Sequence, residues 1–296
     1  MTAPPARTAE PSADFEVTPD LARDLLADQH PDLAELPIEL AENGWDNAVL
    51  RLGDRLALRM PRRTIAAGLL LNEQAWLPLV AANLPLPAPV PVRIGRPALG
   101  YPYPWSVVPW FDGAPSDLAP PGADQGEVLA GFLRALHQPA PDDAPSNRFR
   151  GVPPRDRAET FEAQFAASER RFGALPHLRS LWEAALRAPV DLPRTWFHGD
   201  LHGRNVLVRG GRFAAVIDWG DMAGGDPACD LAAVWMLLPQ RASREAAMAA
   251  YPASKATWTR ARGWAALMTV MLLAITDNPR MPAMAQRIAE RLVEGP

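Results

Sequence analysis

The sequence predicts an α+β fold of two lobes: a small β-rich lobe, then a larger, mainly helical lobe that contains a short β-hairpin. Residues 36–61 carry apolar residues in short alternating runs broken by turn residues, as strands do. From residue 123 the apolar residues recur at helical spacing, and a hairpin pattern at residues 205–218 interrupts them. The chain has 296 residues, 48% of them hydrophobic, which allows a sizeable core.

The elements of the first lobe follow from these patterns. Residues 1–14, rich in Pro, Ala and Thr, are predicted to be a disordered tail. The first lobe is predicted at residues 15–110 and the second at 111–296. Within the first lobe we expect an early helix after Thr18-Pro19, strands at 38–41, 48–52 and 56–60, a helix at 69–83, an extended proline-rich segment at 84–105, and a connector at 106–113.

Composition excludes several function classes. The formal net charge of −4 does not favour nucleic acid or an anionic membrane as a partner. The longest apolar stretch, residues 263–276, is too short to span a bilayer and predicts a buried helix. The first sixteen residues lack the apolar segment of a signal peptide, and the single cysteine, Cys229, fits a reducing compartment. We therefore expect a cytoplasmic protein.

The polar residues concentrate in "TWFHGDLHGRNVLVRGGRFAAVIDWGD", residues 195–221. Two β-rich runs flank Gly210-Gly211, which predicts a hairpin that brings Asn205 and Asp218 to the same end. An amide oxygen and a carboxylate there suit Mg²⁺, which takes its remaining ligands from water and phosphates. Asp200, on the loop that enters the hairpin, is placed to accept a proton. The three residues together predict a phosphoryl-transfer site.

A family resemblance rests on the same residues. "HGDLHGRN", followed by "IDW", resembles the catalytic loop and metal motif of the aminoglycoside phosphotransferase family, which are distant relatives of the protein kinases. The resemblance implies a bilobal protein-kinase-like fold, with Asp200 as base or orienting carboxylate and His198 bracing the loop against backbone. It implies Asn205 and Asp218 as magnesium ligands and ATP as phosphoryl donor, with GTP as the alternative.

The resemblance also assigns a nucleotide-binding role to the first lobe. The loop "ENGWDN", with Gly44 and Asn47, would cover the phosphates, although its single glycine is equally compatible with an ordinary hairpin turn. Protein kinases place a lysine on the third strand, paired to a helical glutamate. This chain has one lysine, Lys255, far away in the second lobe, so Arg59 is the candidate, with Glu73 as its partner.

Three points about the first lobe stay open at this level. Arg62 or Arg63 could replace Arg59, and Glu73 could instead lie on a solvated helix face. Backbone groups from Val108 to Trp110 would meet the adenine edge, although the intervening proline lacks an N–H.

The predicted function is transfer of the ATP γ-phosphoryl group to a hydroxyl of a small molecule, foremost an aminoglycoside antibiotic. Macrolides and amino alcohols or sugars are alternative acceptors, and the basic second half of the chain keeps a less cationic compound among the candidates. Met268 and Met271 are predicted to be core residues. A catalytically inactive nucleotide-binding module, and a hydrolytic metalloenzyme that uses His202 with His198 and Asp200, are the other readings.

Overall fold

The first lobe is built on an antiparallel sheet with strand order β1-β2-β3-β5-β4. The computed structural model describes residues 6–9 and 11–295. The five strands are β1 (Ile38–Asn43), β2 (Asn47–Leu52), β3 (Leu56–Pro61), β4 (Arg93–Gly95) and β5 (Trp105–Pro109). The three strands predicted before residue 61 are confirmed, and Gly53, with φ +58°, forms the turn between the second and third.

Two helices complete this lobe: α1 (Pro19–Gln29) and α2 (Thr64–Val80), the second followed by a short 3₁₀ turn. The helix α2 begins five residues before its predicted start. Gly68 lies inside it, where a glycine costs about 1 kcal/mol relative to alanine. A residue outside the helix stabilises its first turn: the Asp14 carboxylate accepts a hydrogen bond from the Thr64 N–H at 2.9 Å.

The proline-rich segment and the predicted connector differ in their outcome. Residues 93–95 form the edge strand β4, as the prolines indicate. Residues 106–109, predicted as part of a connector, instead belong to β5, a strand between β3 and β4. The run Ser106–Val108 is buried because β5 lies inside the sheet, paired with β3 on one side and with β4 on the other.

The second lobe is a helical layer around one apolar core. Its helices are α3 (Gly126–Leu136), α4 (Ala158–Phe172), α5 (Pro176–Arg187), α6 (Ala228–Leu231), α7 (Ala233–Leu237), α8 (Arg241–Ala250), α9 (Lys255–Leu273) and α10 (Arg280–Glu294). The helix α9 is buried almost all round and packs on α4, α5 and α10. This arrangement confirms the predicted α+β architecture.

Short strands interrupt the helices where the hairpin pattern predicts them. They are β6 (Ala114–Pro115), β7 (Thr195–Phe197), β8 (Val206–Arg209), β9 (Arg212–Val216) and β10 (Ala223–Gly225). Gly210 and Gly211 have φ of +58° and +77°, the left-handed values that such a two-residue turn requires. The strand β6 adds to β8, and β10 pairs with β7.

Part of the predicted tail contacts both lobes. The Arg7 guanidinium carbon is 5.5 Å from the centre of the Trp45 ring, and the Thr8 carbonyl accepts from the Thr276 N–H at 2.8 Å. Residues 1–5 and 10, also in the predicted tail, lie outside the described residues. The predicted lobe boundary after residue 110 stays a prediction.

One segment of the described chain, Thr64–Asn83, is long and apolar enough to cross a membrane by length and composition alone. It corresponds to α2 and the turn after it. Leu70 and Leu77 of this helix are buried, and Glu73 is completely enclosed. The helix therefore forms part of the globular structure, and its apolar composition is explained partly by that packing.

Candidate active site

A cleft of about 830 Å³ separates the first sheet from the helical lobe. Most of the residues predicted for the site line it: Gly44, Asn47, Arg59, Val108, Trp110, Asp200, Asn205 and Asp218. The other two, Glu73 and His198, are fully buried behind its walls. The fold thus brings residues from both lobes to one cavity.

The loop that carries Asp200 is fixed from below by a buried carboxylate. Asp230, on α6, accepts hydrogen bonds from the backbone N–H groups of His198 and Gly199 at 2.6 and 2.7 Å. Gly199 has φ +88°, a conformation that favours glycine. The His198 ring reaches the Ile217 carbonyl from Nε2 at 3.0 Å and accepts from the Asp200 N–H at Nδ1. Both ring nitrogens are therefore occupied, and His198 has none left for a metal.

Asp200 is surrounded by donors. Its carboxylate receives a hydrogen bond from Asn205 Nδ2 at 3.0 Å and lies 3.3 Å from His202 Nε2 and 3.4 Å from Arg150 Nη2. Burial by itself raises the pKa of this carboxyl, but the contacts with His202 and Arg150 outweigh burial and hold the pKa well below its usual range. Asp200 is therefore ionised at neutral pH.

The hairpin places Asn205 and Asp218 at the same end, as the sequence predicts. The Ile217 N–H donates to the Asn205 carbonyl at 2.9 Å, so the residue that follows Ile217 lies directly beside this end. Asp218 has a left-handed backbone, with φ +62°, which is uncommon for a residue other than glycine. Its Oδ1 lies 2.5 Å from Arg59 Nη2.

The residues at the hairpin end fit a hard cation such as Mg²⁺. Asn205 uses its Nδ2 to donate to the carbonyl and carboxylate of Asp200, which leaves its Oδ1 without a donor among the described residues. The Asp218 side chain is 47% exposed toward the cleft. No group of three or more His, Cys, Asp or Glu in the described chain forms a metal cluster by itself. Two oxygens from the protein, with water and phosphate completing the shell, match the preference of magnesium.

Arg59 joins the two lobes electrostatically. Its Nε is 3.3 Å from Oε2 of Glu73, and its Nη2 holds Asp218. Glu73 is fully buried, so the solvated-face alternative is wrong. The Arg59–Glu73 contact is an ion pair without hydrogen-bond geometry, because neither Glu73 oxygen has a hydrogen-bond partner in the described structure. Burial lowers the pKa of Arg59, but Glu73 and Asp218 more than compensate and raise it.

We expect Arg59→Ala to lower kcat/KM for ATP by about 10²-fold, the scale for losing one charged donor in an enclosed site. Arg59→Lys should recover only part of this loss, because an ammonium cannot face Glu73 and the cleft with separate nitrogens. Steady-state kinetics at varied ATP checks both variants. Arg55→Ala, an exposed side chain on the turn before β3, is the matched control and should match the wild type. Wild-type kinetics for Arg59→Ala would remove Arg59 from the site.

Glu73 should make the stability of the protein depend on pH. Burial raises its pKa from 4.5 to about 7, against the opposing effect of Arg59. A carboxyl whose pKa is raised on folding stabilises fully below pH 4.5, and this stabilisation is lost as the pH rises through about 7. We expect the wild type to lose up to about 3 kcal/mol of unfolding free energy over this range relative to Glu73→Gln. Denaturant titrations of both proteins at pH 5 and pH 8 measure the difference, and parallel pH profiles would contradict it.

The loop between β1 and β2 is held by the two arginines that were alternatives to Arg59. Arg62 Nη1 donates to the Gly44 carbonyl at 2.9 Å, and Arg63 Nη1 lies 2.6 Å from the Asp46 carboxylate. Both side chains are thus occupied in shaping this loop. The Gly44 N–H donates to the Asn47 carbonyl, and Asn47 Oδ1 is buried with no hydrogen-bond partner in the described structure.

The backbone of the expected adenine site differs from the expectation at Trp110. Its N–H donates to the Arg55 carbonyl at 2.8 Å, extending the sheet, so it is not available to a base. Because Pro109 has no N–H, the next possible donor is Phe111, which lines the cleft and whose N–H has no acceptor among the described residues. The Trp110 ring lies over the Arg51 guanidinium at 5.3 Å.

Three residues of the site were missed by the sequence reasoning. Arg150 lies 3.4 Å from Asp200 and 3.8 Å from Asp221, and both of these carboxylates raise its pKa despite burial. Burial raises the pKa of Asp221, which Arg150 opposes. His202, which the sequence analysis named only in the metalloenzyme alternative, contacts Asp200 directly. The motif order offered a signal for His202 and Asp221, which flank known positions, but none for Arg150.

Comparison with known proteins identifies the family. The family model described as phosphotransferase enzyme family matches residues 37–264, which include the whole site. The chain belongs to this phosphotransferase family. No protein with a curated description matches it.

Solved structures agree on the fold of this phosphotransferase. The GDP complex of aminoglycoside 2'-phosphotransferase-IIIa is 17% identical, with a TM-score of 0.64 over 94% of this chain and 99% of that one. The ADP-bound aminoglycoside phosphotransferase APH(2'')-Ib is 15% identical, with a TM-score of 0.58 over 93% and 99%. The macrolide 2'-phosphotransferase MphH from Brachybacterium faecium is 22% identical, with a TM-score of 0.57 over 86% and 89%. The family match makes the protein a phosphotransferase, and these structures show that it has the kinase-like fold.

Proposed function

We propose that this phosphotransferase moves the γ-phosphoryl group of ATP to a hydroxyl group of a small molecule. The observation that supports the proposal is the meeting of Asp200, Asn205 and Asp218 at one end of the cleft, with Arg59 opposite them. These residues supply a proton acceptor, two cation ligands and a phosphate-binding charge, which are the parts that phosphoryl transfer needs.

In the proposed reaction the acceptor oxygen attacks the γ-phosphorus of ATP. A bond forms between these two atoms, and the bond from the γ-phosphorus to the bridging oxygen breaks, so ADP leaves with that electron pair. The hydroxyl proton passes to Oδ1 or Oδ2 of Asp200. The carboxylate is held by Asn205, His202 and Arg150, which orient it while the transfer proceeds.

The low pKa of Asp200 fits a role in orientation as much as in proton removal. A weakly basic carboxylate takes the proton late, which suits a loose transition state in which the acceptor oxygen forms little bond before the leaving group departs. Arg150 lies beside Asp200 and balances its charge before the acceptor binds. A bound Mg²⁺ would supply neutralisation of phosphate charge through Asn205 and Asp218.

The donor nucleotide is proposed to lie under the loop of Gly44 and Asn47, with its base against β5 near Val108 and Trp110. The base accepts from the N–H of Phe111 rather than from that of Trp110, because the Trp110 N–H already donates to the Arg55 carbonyl. When the nucleotide binds, Arg59 gives up its ion pair with Asp218 and contacts the phosphates instead. The donor is proposed to be ATP, with GTP as the alternative, because the neighbours carry ADP in one case and GDP in another. We place the enzyme in the cytoplasm, where both nucleotides are supplied.

A coupled ADP-release assay tests the function. Purified protein with Mg²⁺ and either ATP or GTP is offered aminoglycosides, macrolides, amino alcohols, sugars and hydroxy acids in turn. Acceptor-dependent release of ADP from ATP, or of GDP from GTP, supports the proposal, and phosphorus NMR of the product identifies the modified hydroxyl. Nucleotide binding with no turnover on any acceptor would favour the inactive binding module, and zinc copurifying at one equivalent would favour a hydrolase.

A further inference from the structure

A cluster of arginines lies at the end of the cleft formed by the helical lobe. We call Arg148, Arg150 and Arg157 the arginine cluster; all three line the cleft together with Asp200. The guanidinium carbons of Arg148 and Arg157 lie 4.6 and 5.2 Å from the centre of the Phe149 ring. Both cations therefore contact the same aromatic ring, and neither lies within ion-pair distance of a carboxylate in the described structure.

Arg157 is the unusual member of the arginine cluster. It is only 7% exposed, it forms no ion pair with any described residue, and its Nε has no hydrogen-bond partner. Burial, together with Arg150 and Arg148, lowers its pKa to about 10, against the opposing effect of Asp221. An enclosed cation without a directly paired carboxylate costs free energy unless a ligand or solvent compensates it. The helical end of the cleft thus holds positive charge that the protein neutralises only in part, because Asp221 already pairs with Arg150.

Each carboxylate of the cleft has, in contrast, an arginine within ion-pair distance, although Asp200 and Asp221 share Arg150. Five acidic side chains line it, and each pairs with an arginine: Glu42 with Arg204, Asp46 with Arg63, Asp200 and Asp221 with Arg150, and Asp218 with Arg59. A polycationic acceptor needs unpaired carboxylates, which the described lining does not offer. The charges of the cleft therefore favour an anionic acceptor over a polycationic one.

An apolar wall completes this end of the cleft. It consists of Met268, Met271 and Leu272 on α9, Ile275 two residues after this helix ends, and Met281 on α10. Methionine side chains adapt to ligands of varied shape. The prediction that Met268 and Met271 are only core residues is therefore incomplete, since both also face the cavity.

We propose that the acceptor hydroxyl belongs to a compound with an anionic group, of which a carboxylate is the simplest, bound by Arg157 and Arg148, with its apolar body against the methionine wall. This inference rests on the proposed function, because it names the substrate class of the same site. Guanidinium groups pair with carboxylates through two parallel hydrogen bonds, which would fix the hydroxyl relative to Asp200. The competing use of the arginine cluster, binding of nucleotide phosphates, is an outcome of the test.

The test compares matched compounds that differ only in charge. Three scaffolds, aromatic, linear alkyl and sugar, each carry one primary hydroxyl and either a carboxylate, its methyl ester or an amine; 4-(hydroxymethyl)benzoate heads the aromatic set. Calorimetry with ADP already bound measures affinity, and ADP release from ATP measures turnover. We expect the carboxylate of at least one scaffold to bind about tenfold or more tightly than its ester, and the amine to bind most weakly.

Variants locate the preference. Arg157→Gln and the exposed Arg148→Gln should each remove most of the carboxylate preference while ADP affinity stays unchanged. Arg155→Gln is the matched control. Arg155 lies on the same short 3₁₀ helix as Arg157, Pro154–Arg157, but its side chain is 79% exposed and does not line the cleft. Because Arg148 is at the surface, its variant gives an answer even if Arg157→Gln does not fold.

The outcomes separate the two proposals. Carboxylate preference in binding without turnover supports the anionic site and counts against the proposed function. Turnover without carboxylate preference, or preference for the amines, overturns the anionic site and leaves the proposed function standing. Loss of ADP affinity in both cluster variants, with Arg155→Gln unaffected, would assign the cluster to the nucleotide and also overturn it.

Discussion

Replacing Asp200 with alanine is expected to lower kcat by about two to four orders of magnitude, the scale for loss of a positioned proton acceptor. The side chain is the point where the catalytic loop, Asn205, His202 and Arg150 converge. Nucleotide affinity should change little, because Asp200 faces the acceptor rather than Arg59. Single-turnover kinetics with saturating ATP, and ADP binding by calorimetry, measure the two quantities separately.

The control for this variant is Asp156→Ala, an exposed carboxylate in the same lobe that does not line the cleft. It should retain wild-type turnover. Asp200→Asn is the sharper replacement, since it keeps the shape but removes the charge and the ability to accept the proton. Unchanged turnover in Asp200→Asn would disprove the role of Asp200, whatever the effect of the alanine variant.

The second large effect is expected for Asp218→Asn: kcat with Mg²⁺ and ATP should fall by about two to three orders of magnitude, as for loss of a charged group at the site of transfer. Asparagine tolerates the left-handed backbone at φ +62°, so the backbone should hold its conformation. The variant removes both the negative charge offered to the cation and the counter-charge of Arg59. Kinetics at varied Mg²⁺ concentration should show a raised requirement for the metal.

The matched control is Asp54→Asn, a carboxylate 99% exposed on the turn between β2 and β3. It should leave the metal requirement unaltered. A wild-type protein that binds ADP equally well with and without Mg²⁺ would leave neither Asn205 nor Asp218 with a metal to hold, and would contradict this prediction directly.

Local pattern explains why half of the site was predictable. Asp200, Asn205 and Asp218 lie within nineteen positions, and the glycine turn dictates how the two strands fold back on each other. Their convergence therefore follows from the sequence. Arg59 and Glu73 were also identified, through the resemblance, which places a basic residue on the third strand and an acidic partner on the following helix. The resemblance supplied their pairing, and the structure shows the ion pair.

The rest depends on contacts that no local pattern encodes. Arg150 lies in an irregular segment, and its contact with Asp200 spans 50 positions without a strand or helix to define direction. The backbone bond from Trp110 to Arg55 depends on where β5 stops pairing with β3, which apolar content alone does not decide. Met268 and Met271 belong to a helix buried on nearly every side, so periodicity cannot tell which of its faces meets a cavity.

The Arg59–Asp218 pair has a consequence for how ligands bind. Each partner is the other's counter-ion before any ligand arrives, at 2.5 Å and across the two lobes. A nucleotide that draws Arg59 away leaves Asp218 without its counter-ion, and a cation that draws Asp218 away leaves Arg59 with Glu73 as its remaining counter-ion. Either ligand alone therefore has to break a satisfied ion pair, whereas the two together satisfy both ends. Nucleotide and divalent cation should accordingly show positive cooperativity, each tightening the other's binding by the same factor.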